Sequence, residues 1–199
     1  MSIAIIQYNA GNVQSVLYAL QRLGIDAVVT ADPEQIRSAD KVIFPGVGAA
    51  GTAMDYLKKN KLDKLIASLK QPVLGICLGM QLMCTHSEED DTTCLGIFQV
   101  NVKQFVRPRN DHSLKIPQMG WNTIYQLSSS LFEKVPENSY VYYVHSYYAA
   151  LSPQTIATTD YTTPYSAAIH KDNFYGVQFH TEKSAEAGAR IIANFLKLT

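Results

Sequence analysis

The first half of the chain alternates short apolar runs with helical periodicity. Ile3 to Gln7 reads as a short buried strand. Val13, Val16, Leu17, Leu20 and Leu23 then recur at the spacing of one helix face, and Gly24 supplies the stop. Ile25 to Thr30 predicts a second strand. Asp32-Pro33-Glu34 is a helix start, with Asp32 as N-cap and Pro33 in the first turn. Lys41 to Phe44 predicts a third strand, closed by the glycine-rich turn Pro45-Gly46-Val47-Gly48. Thr52 to Leu69 carries one or two helices, Pro72 to Ile76 a fourth strand, and Leu78 onwards is helical again. Apolar strands alternating with helices argue for a parallel sheet covered on both faces.

The second half changes period. Ile97–Val106, Trp121–Leu127, Tyr140–Val144, Thr155–Thr158, Ser166–His170 and Tyr175–Phe179 read as β segments. A last helix is expected from about Ser184 to Leu198, with Ala187, Ile191, Ala193, Phe195 and Leu196 on its apolar side. No repeat, low-complexity tract or linker interrupts the 199 residues. The expectation is one α/β domain over residues 1–199, with a mixed, largely parallel central sheet flanked by helices.

Composition narrows the function. Lys plus Arg equals Asp plus Glu at 17 each, so the basic excess of a nucleic-acid or membrane-surface binder is missing. No apolar run approaches the roughly 18 residues that span a bilayer. The N-terminus lacks a basic region before its apolar stretch and reads as a strand rather than a signal peptide. Three cysteines without a C-x-x-C pair suggest neither a disulfide framework nor a zinc site. A cytoplasmic protein without metal or cofactor is expected.

The strongest chemical signal is Gly75-Ile76-Cys77-Leu78-Gly79-Met80-Gln81. A buried strand turning sharply into a helix with Cys77 at the turn is a nucleophile elbow, G-x-S-x-G with sulfur in place of oxygen. The glycines remove side chains where strand and helix crowd. The helix start offers free amides to a thiolate, and the Leu78 amide is placed to hold an oxyanion. A free cysteine is ordinarily a small core residue. That reading stands for Cys84 and Cys94, which lack elbow glycines.

A thiolate needs a proton carrier, and the chain offers His86, His112, His145, His170 and His180. His180 ends an apolar strand and Glu182 follows two residues on. In a strand such residues share a face, so Glu182 is expected to fix the His180 tautomer, the orienting role of a third triad member. Gly46-Val47-Gly48-Ala49-Ala50-Gly51 matches the G-x-G-x-x-G dinucleotide fingerprint, but the acid expected about 20 positions on is missing. The turn instead offers a backbone N–H, that of Val47, to a developing oxyanion.

Five blocks stand in order along the chain: Pro45-Gly46-Val47-Gly48, Gly75 to Gln81, Pro117-Gln118-Met119-Gly120-Trp121-Asn122, Val144-His145-Ser146-Tyr147-Tyr148 and Gly176 to Ser184. Together they resemble the class I, triad-type glutamine amidotransferases, and within them the glutaminase subunits of imidazole glycerol phosphate synthases of histidine biosynthesis. The resemblance implies a Cys77-His180-Glu182 triad and an oxyanion hole of Val47 and Leu78 amides. It implies L-glutamine held near Gly46, Gly48 and Gly79, by Gln81 and Glu89, and by backbone groups at Ser146 and Tyr147. It also implies a heterodimer with a separate (β/α)₈-barrel cyclase subunit, facing Asn12, Trp121 and Lys183. That subunit uses the ammonia to make imidazole glycerol phosphate and an aminoimidazole carboxamide ribotide.

The sequence departs from the family pattern at three places. Thr181 stands where proline is usual and Ala50 where phenylalanine is common, and Gln7-Tyr8-Asn9-Ala10-Gly11-Asn12 is an uncommon first strand end. Since residue i+1 of a strand points away from the triad face, little cost is expected from Thr181. Paralogous glutaminase subunits that feed sugar-modifying synthases of surface polysaccharides share these blocks. A cysteine peptidase on a similar elbow and a non-catalytic scaffold are further alternatives. The first would cleave peptides rather than free glutamine, and the second has no need of all three triad residues.

Overall fold

A computed structural model describes residues 1–9, 12–107 and 114–198. Ala10, Gly11 and His112 lie outside the described residues. The elements of the first half are β1 (Ile3–Ile6), α1 (Val13–Arg22), β2 (Val28–Thr30), α2 (Pro33–Ser38), β3 (Lys41–Gly46), α3 (Ala50–Lys59), α4 (Leu62–Ser68), β4 (Val73–Cys77) and α5 (Leu78–Leu82). Short strands follow: β5 (His86–Ser87), β6 (Thr92–Thr93) and β7 (Asn101–Gln104). Then come β8 (Gln118–Ile124), β9 (Ser139–His145), β10 (Tyr147–Ala149), β11 (Thr155–Asp160), β12 (Pro164–Lys171) and β13 (Phe174–Val177), and α6 (Ala185–Phe195) closes the order.

The central sheet has seven strands in the order β11-β12-β13-β4-β3-β1-β2. β2, β1, β3, β4 and β13 run parallel, and β12 and β11 add an antiparallel edge. This is the mixed, largely parallel sheet expected. Strand alternation builds a core on each face. Ile3, Ile5, Ile43 and Ile76 pack with Val16 and Leu20 of α1 and with Ile191 and Phe195 of α6. Ala4, Ile6, Val42 and Phe44 pack with Met54, Leu57, Ile66 and Met80 from α3, α4 and α5. A smaller sheet, β10-β7-β5-β6, and the β8–β9 pair frame the site end of the central sheet.

Local chemistry explains several boundaries. The Asp32 carboxylate accepts from the amides of Glu34 and Gln35 at 2.9 Å each, the N-cap read from the sequence. The Thr52–Leu69 region is two helices, because Lys61 adopts a left-handed backbone with φ 58° between them. Other expectations were too long. The second strand keeps only Val28–Thr30, the Ile97–Val106 segment only Asn101–Gln104, and the last strand ends at Val177. The helix after Cys77 is five residues long, so it offers its first free amides more than a macrodipole.

Gly79 fixes the distance between α5 and β3. A Cβ at this position would overlap the carbonyl oxygen of Phe44, a backbone atom that cannot swing away. Gly79→Ala is therefore expected to destabilise the fold by about 3 kcal/mol or more. Thermal unfolding of the purified variant checks this; an unchanged Tm would mean that the elbow is looser than its packing indicates.

Candidate active site

β4 lies between β3 and β13, every residue buried, and delivers Cys77 at its C-terminal end. Cys77 sits at φ 53°, ψ −111°, a conformation that L residues avoid. A strained residue held by packed neighbours at a strand end is characteristic of functional sites. The Cys77 Sγ lies 3.8 Å from the Val144 carbonyl oxygen, and the Gln178 Nε2 amide donates to it at 3.7 Å.

His180 and Glu182 meet through a turn rather than along a strand. β13 has ended at Val177, and Thr181–Lys183 is a 3-10 turn that carries the Glu182 carboxylate back to the imidazole. The His180 Nδ1–Glu182 Oε1 distance is 2.7 Å, with the two side chains 4% and 0% exposed. The expected pairing forms, but the strand reasoning behind it does not hold. Thr181 is buried, and its hydroxyl has no partner among the described residues.

Asn12, just before α1, donates from Nδ2 to Glu182 Oε1 at 2.8 Å. Burial alone would push the His180 pKa down. Hydrogen bonds and charge from Cys77 and Glu182 outweigh it and raise the value to about 10. The imidazolium is thereby retained through neutral pH.

These groups open on a cavity of about 540 Å³. Cys77, His180, Leu78, Val47 and Gly48 line its reactive end, and Asn12 and Lys183 its rim. Gln81, Glu89, Ser146 and Tyr147 line the rest, with Pro117, Val144 and His145. Glu89 Oε2 accepts from the Ala50 amide at 2.8 Å, capping α3. Burial raises the Glu89 pKa, against the pull of that hydrogen bond and with the charge of Asp90.

Gln81 is buried and spends its amide protons on the Tyr147 carbonyl at 2.8 Å and on Gln178 Oε1 at 2.9 Å. His145 holds the same Tyr147 carbonyl through Nδ1 at 2.7 Å. Its burial, with the charge of His180, pushes the His145 pKa down to about 4. At neutral pH it is an uncharged donor to that carbonyl. The Ser146–Tyr147 backbone is thus clamped from two sides.

Three of the expected residues stand elsewhere. Gly46 and Gly79 pack beneath the cavity, where Gly46 faces Leu78 and the Gly79 amide. Trp121 is 52% exposed on β8, outside the cavity. It connects to the rim through aromatic contacts. Its ring meets Tyr142 edge-on at 5.8 Å, and Lys183 Nζ lies 5.9 Å from the Tyr142 centroid. Sequence reasoning assigned no positioning role to Gln178, His145 or Tyr8, although all three touch the site's framework. Their blocks were visible, but their contacts join residues far apart in the chain.

A thiol, an imidazole and a carboxylate in series, beside a cavity at the C-terminal end of a central parallel strand, have the groups that a thiol hydrolase or acyl transferase needs. The chain belongs to the class I glutamine amidotransferase family, whose sequence model matches residues 4–198. It is 59% identical over 198 residues to the imidazole glycerol phosphate synthase subunit HisH of Bacteroides thetaiotaomicron, covering 100% of both chains. It is 44% identical over 200 residues to the subunit of the same name from Escherichia coli, again covering 100% of both. Within the family, the chain is therefore similar along its whole length to these HisH subunits. The fold is shared with PurLQS from Thermotoga maritima at a TM-score of 0.70 and 14% identity, over 98% of this chain and 97% of that one.

Proposed function

We propose that this chain hydrolyses L-glutamine to glutamate and ammonia, and delivers the ammonia to the cyclase subunit of an imidazole glycerol phosphate synthase. The observation that carries the reading is the buried Cys77-His180-Glu182 array opening on the 540 Å³ cavity. Cys77 as thiolate attacks the carbonyl carbon of the glutamine side chain. The amides of Leu78 and Val47 hold the oxyanion. His180 protonates the departing nitrogen, ammonia leaves, and a γ-glutamyl thioester remains on Cys77. His180 then takes a proton from water, which hydrolyses the thioester to glutamate.

Glu89 and the remaining acceptor of Gln81 suit the α-ammonium of the substrate, and backbone groups at Ser146 and Tyr147 its carboxylate. Residues 1–199 form one amidotransferase unit, acting in the cytoplasm as a heterodimer with a (β/α)₈-barrel cyclase. The HisH names of full-length relatives favour the histidine pathway over a sugar-modifying synthase. The test is glutamate release from free glutamine and co-purification with the cyclase subunit. Cleavage of peptides with free glutamine untouched, or association with a different synthase, would overturn the reading.

Asn12, Lys183 and, through Tyr142, Trp121 make the rim where the cyclase docks. Docking there controls the turn Gly46-Val47-Gly48. Gly48 has φ 109°, which only glycine adopts freely. The peptide joining Gly46 to Val47 presents either its carbonyl or its N–H to the developing oxyanion, and the docked partner favours the N–H.

Glu182 orients His180 and stabilises its imidazolium rather than acting as a base. A raised His180 pKa keeps the imidazolium at neutral pH and loses it as pH rises past about 10. Glu182→Gln keeps the hydrogen-bonding shape but removes the charge. The alkaline limb of kcat/KM is expected to move to lower pH. The loss in kcat should be smaller than the roughly 10²–10⁴ expected for His180→Ala. Equal losses from the two variants, with an unmoved alkaline limb, would rule out the orienting role.

A further inference from the structure

The Gly46 turn is walled on one side by a phenol. A Cβ built on Gly46 would overlap the hydroxyl of Tyr8 and stand 3.0 Å from the Gly79 amide nitrogen. Tyr8 lies two residues past β1, and its ring packs on Phe44 of β3 at 5.3 Å between centroids. The residue is 7% exposed, yet its hydroxyl has no hydrogen-bond partner among the described residues. Buried phenols ordinarily find one, because an unpaired polar group forfeits its hydration without return. Burial, and then the charge of Cys77, push the Tyr8 pKa up. The phenol therefore stays protonated and acts as a donor. A phenylalanine would fill the same volume without the orphaned hydroxyl.

The missing acceptor lies one rotation away. The Gly46 carbonyl is bonded to the α-carbon that the Tyr8 hydroxyl faces. When the peptide joining Gly46 to Val47 rotates to bring the Val47 N–H toward the oxyanion, the Gly46 carbonyl must swing the opposite way. We propose that Tyr8 is a positioning residue whose hydroxyl donates to the Gly46 carbonyl in the rotated state, favouring the peptide orientation that completes the oxyanion hole. The inference rests on the gating of the Gly46-Val47-Gly48 turn described above. Among the described residues this buried donor stands unpaired, and rotation pairs it. The same hydroxyl also explains why position 46 has no room for a side chain.

The test is Tyr8→Phe, which keeps the ring and its packing. Glutaminase kcat and KM are measured for parent and variant, each with the cyclase subunit and imidazole glycerol phosphate present, and Tm is measured for each free chain. The stimulated kcat is expected to fall about five- to tenfold, the worth of one net hydrogen bond. KM for glutamine should stay the same, and the free variant's Tm should match or exceed the parent's because an orphaned polar group is gone.

A stimulated kcat equal to the parent's overturns the proposal. So does a variant whose Tm falls while kcat and KM worsen together, since the hydroxyl would then be serving the packing of the resting state. The parent separates the two levels of the argument. If it hydrolyses glutamine and is stimulated while Tyr8→Phe behaves like it, only the role of Tyr8 fails. If the parent is silent toward glutamine, the glutaminase reading fails and the role of Tyr8 with it.

Discussion

Cys77→Ala is expected to lower glutamine hydrolysis by about 10⁴-fold or more, in line with the loss of a nucleophile from a triad. Synthesis by the complex from added ammonium salt should continue, because that route bypasses the thioester. The fold should survive the change. Alanine carries the same Cβ at φ 53°, so the elbow gains no new strain, and the change removes the thiol's long contacts to Val144 and Gln178 together with its interaction with His180. The paired measurement matters more than either half alone. Loss of both activities would indicate damage to folding or docking. Glutamine hydrolysis at a substantial fraction of the parent rate would mean that a group other than Cys77 attacks the substrate.

The elements legible in the sequence are those specified by neighbouring residues. The apolar stripe of α1, the Asp32 cap and the elbow glycines each act within a few positions, and each appears as expected. The strands β5, β6 and β10 have two, two and three residues. Runs that short carry no period, and only pairing with distant partners makes them strands. Ile25 and Ala27 illustrate the opposite case. Their apolar side chains pack against the core without joining the ladder, so the second strand reads longer than it is.

The site follows the same division. Cys77 was legible because its strain is local. The His180–Glu182 pair was legible from its spacing, although a 3-10 turn rather than a strand closes it. Gln178 was not legible. It reaches Gln81 and Cys77 across 97 and 101 residues, and nothing near it in the chain announces those contacts. Asn12 was expected only to face the partner subunit, yet its amide donates to the Glu182 carboxylate across 170 residues. That bond joins the expected docking surface directly to the His180–Glu182 pair.

The isolated chain is expected to be a poor glutaminase, with kcat rising about 10²–10³-fold when the cyclase subunit and its acceptor ligand are bound. That range is what one oxyanion-hole donor typically contributes, and the Val47 N–H is the donor in question. Gating of this kind has a chemical motive: ammonia released without an acceptor consumes glutamine, and in water it is protonated and loses its nucleophilicity. The structure offers a route for the signal. Lys183 and Asn12 line the cavity, and Trp121 reaches Lys183 through Tyr142. On this proposal, a peptide rotation at Gly46-Val47-Gly48 would switch the donor without displacing Cys77 or His180. Gly48→Ala places a side chain at φ 109°, so it should reduce stimulation by the acceptor ligand more than it weakens binding of the partner. Steady-state rates for the chain alone, with cyclase, and with cyclase plus the product imidazole glycerol phosphate standing in for the acceptor ligand measure the effect. A rate already maximal for the chain alone would mean that the oxyanion hole is complete without a partner, and the turn would be no gate.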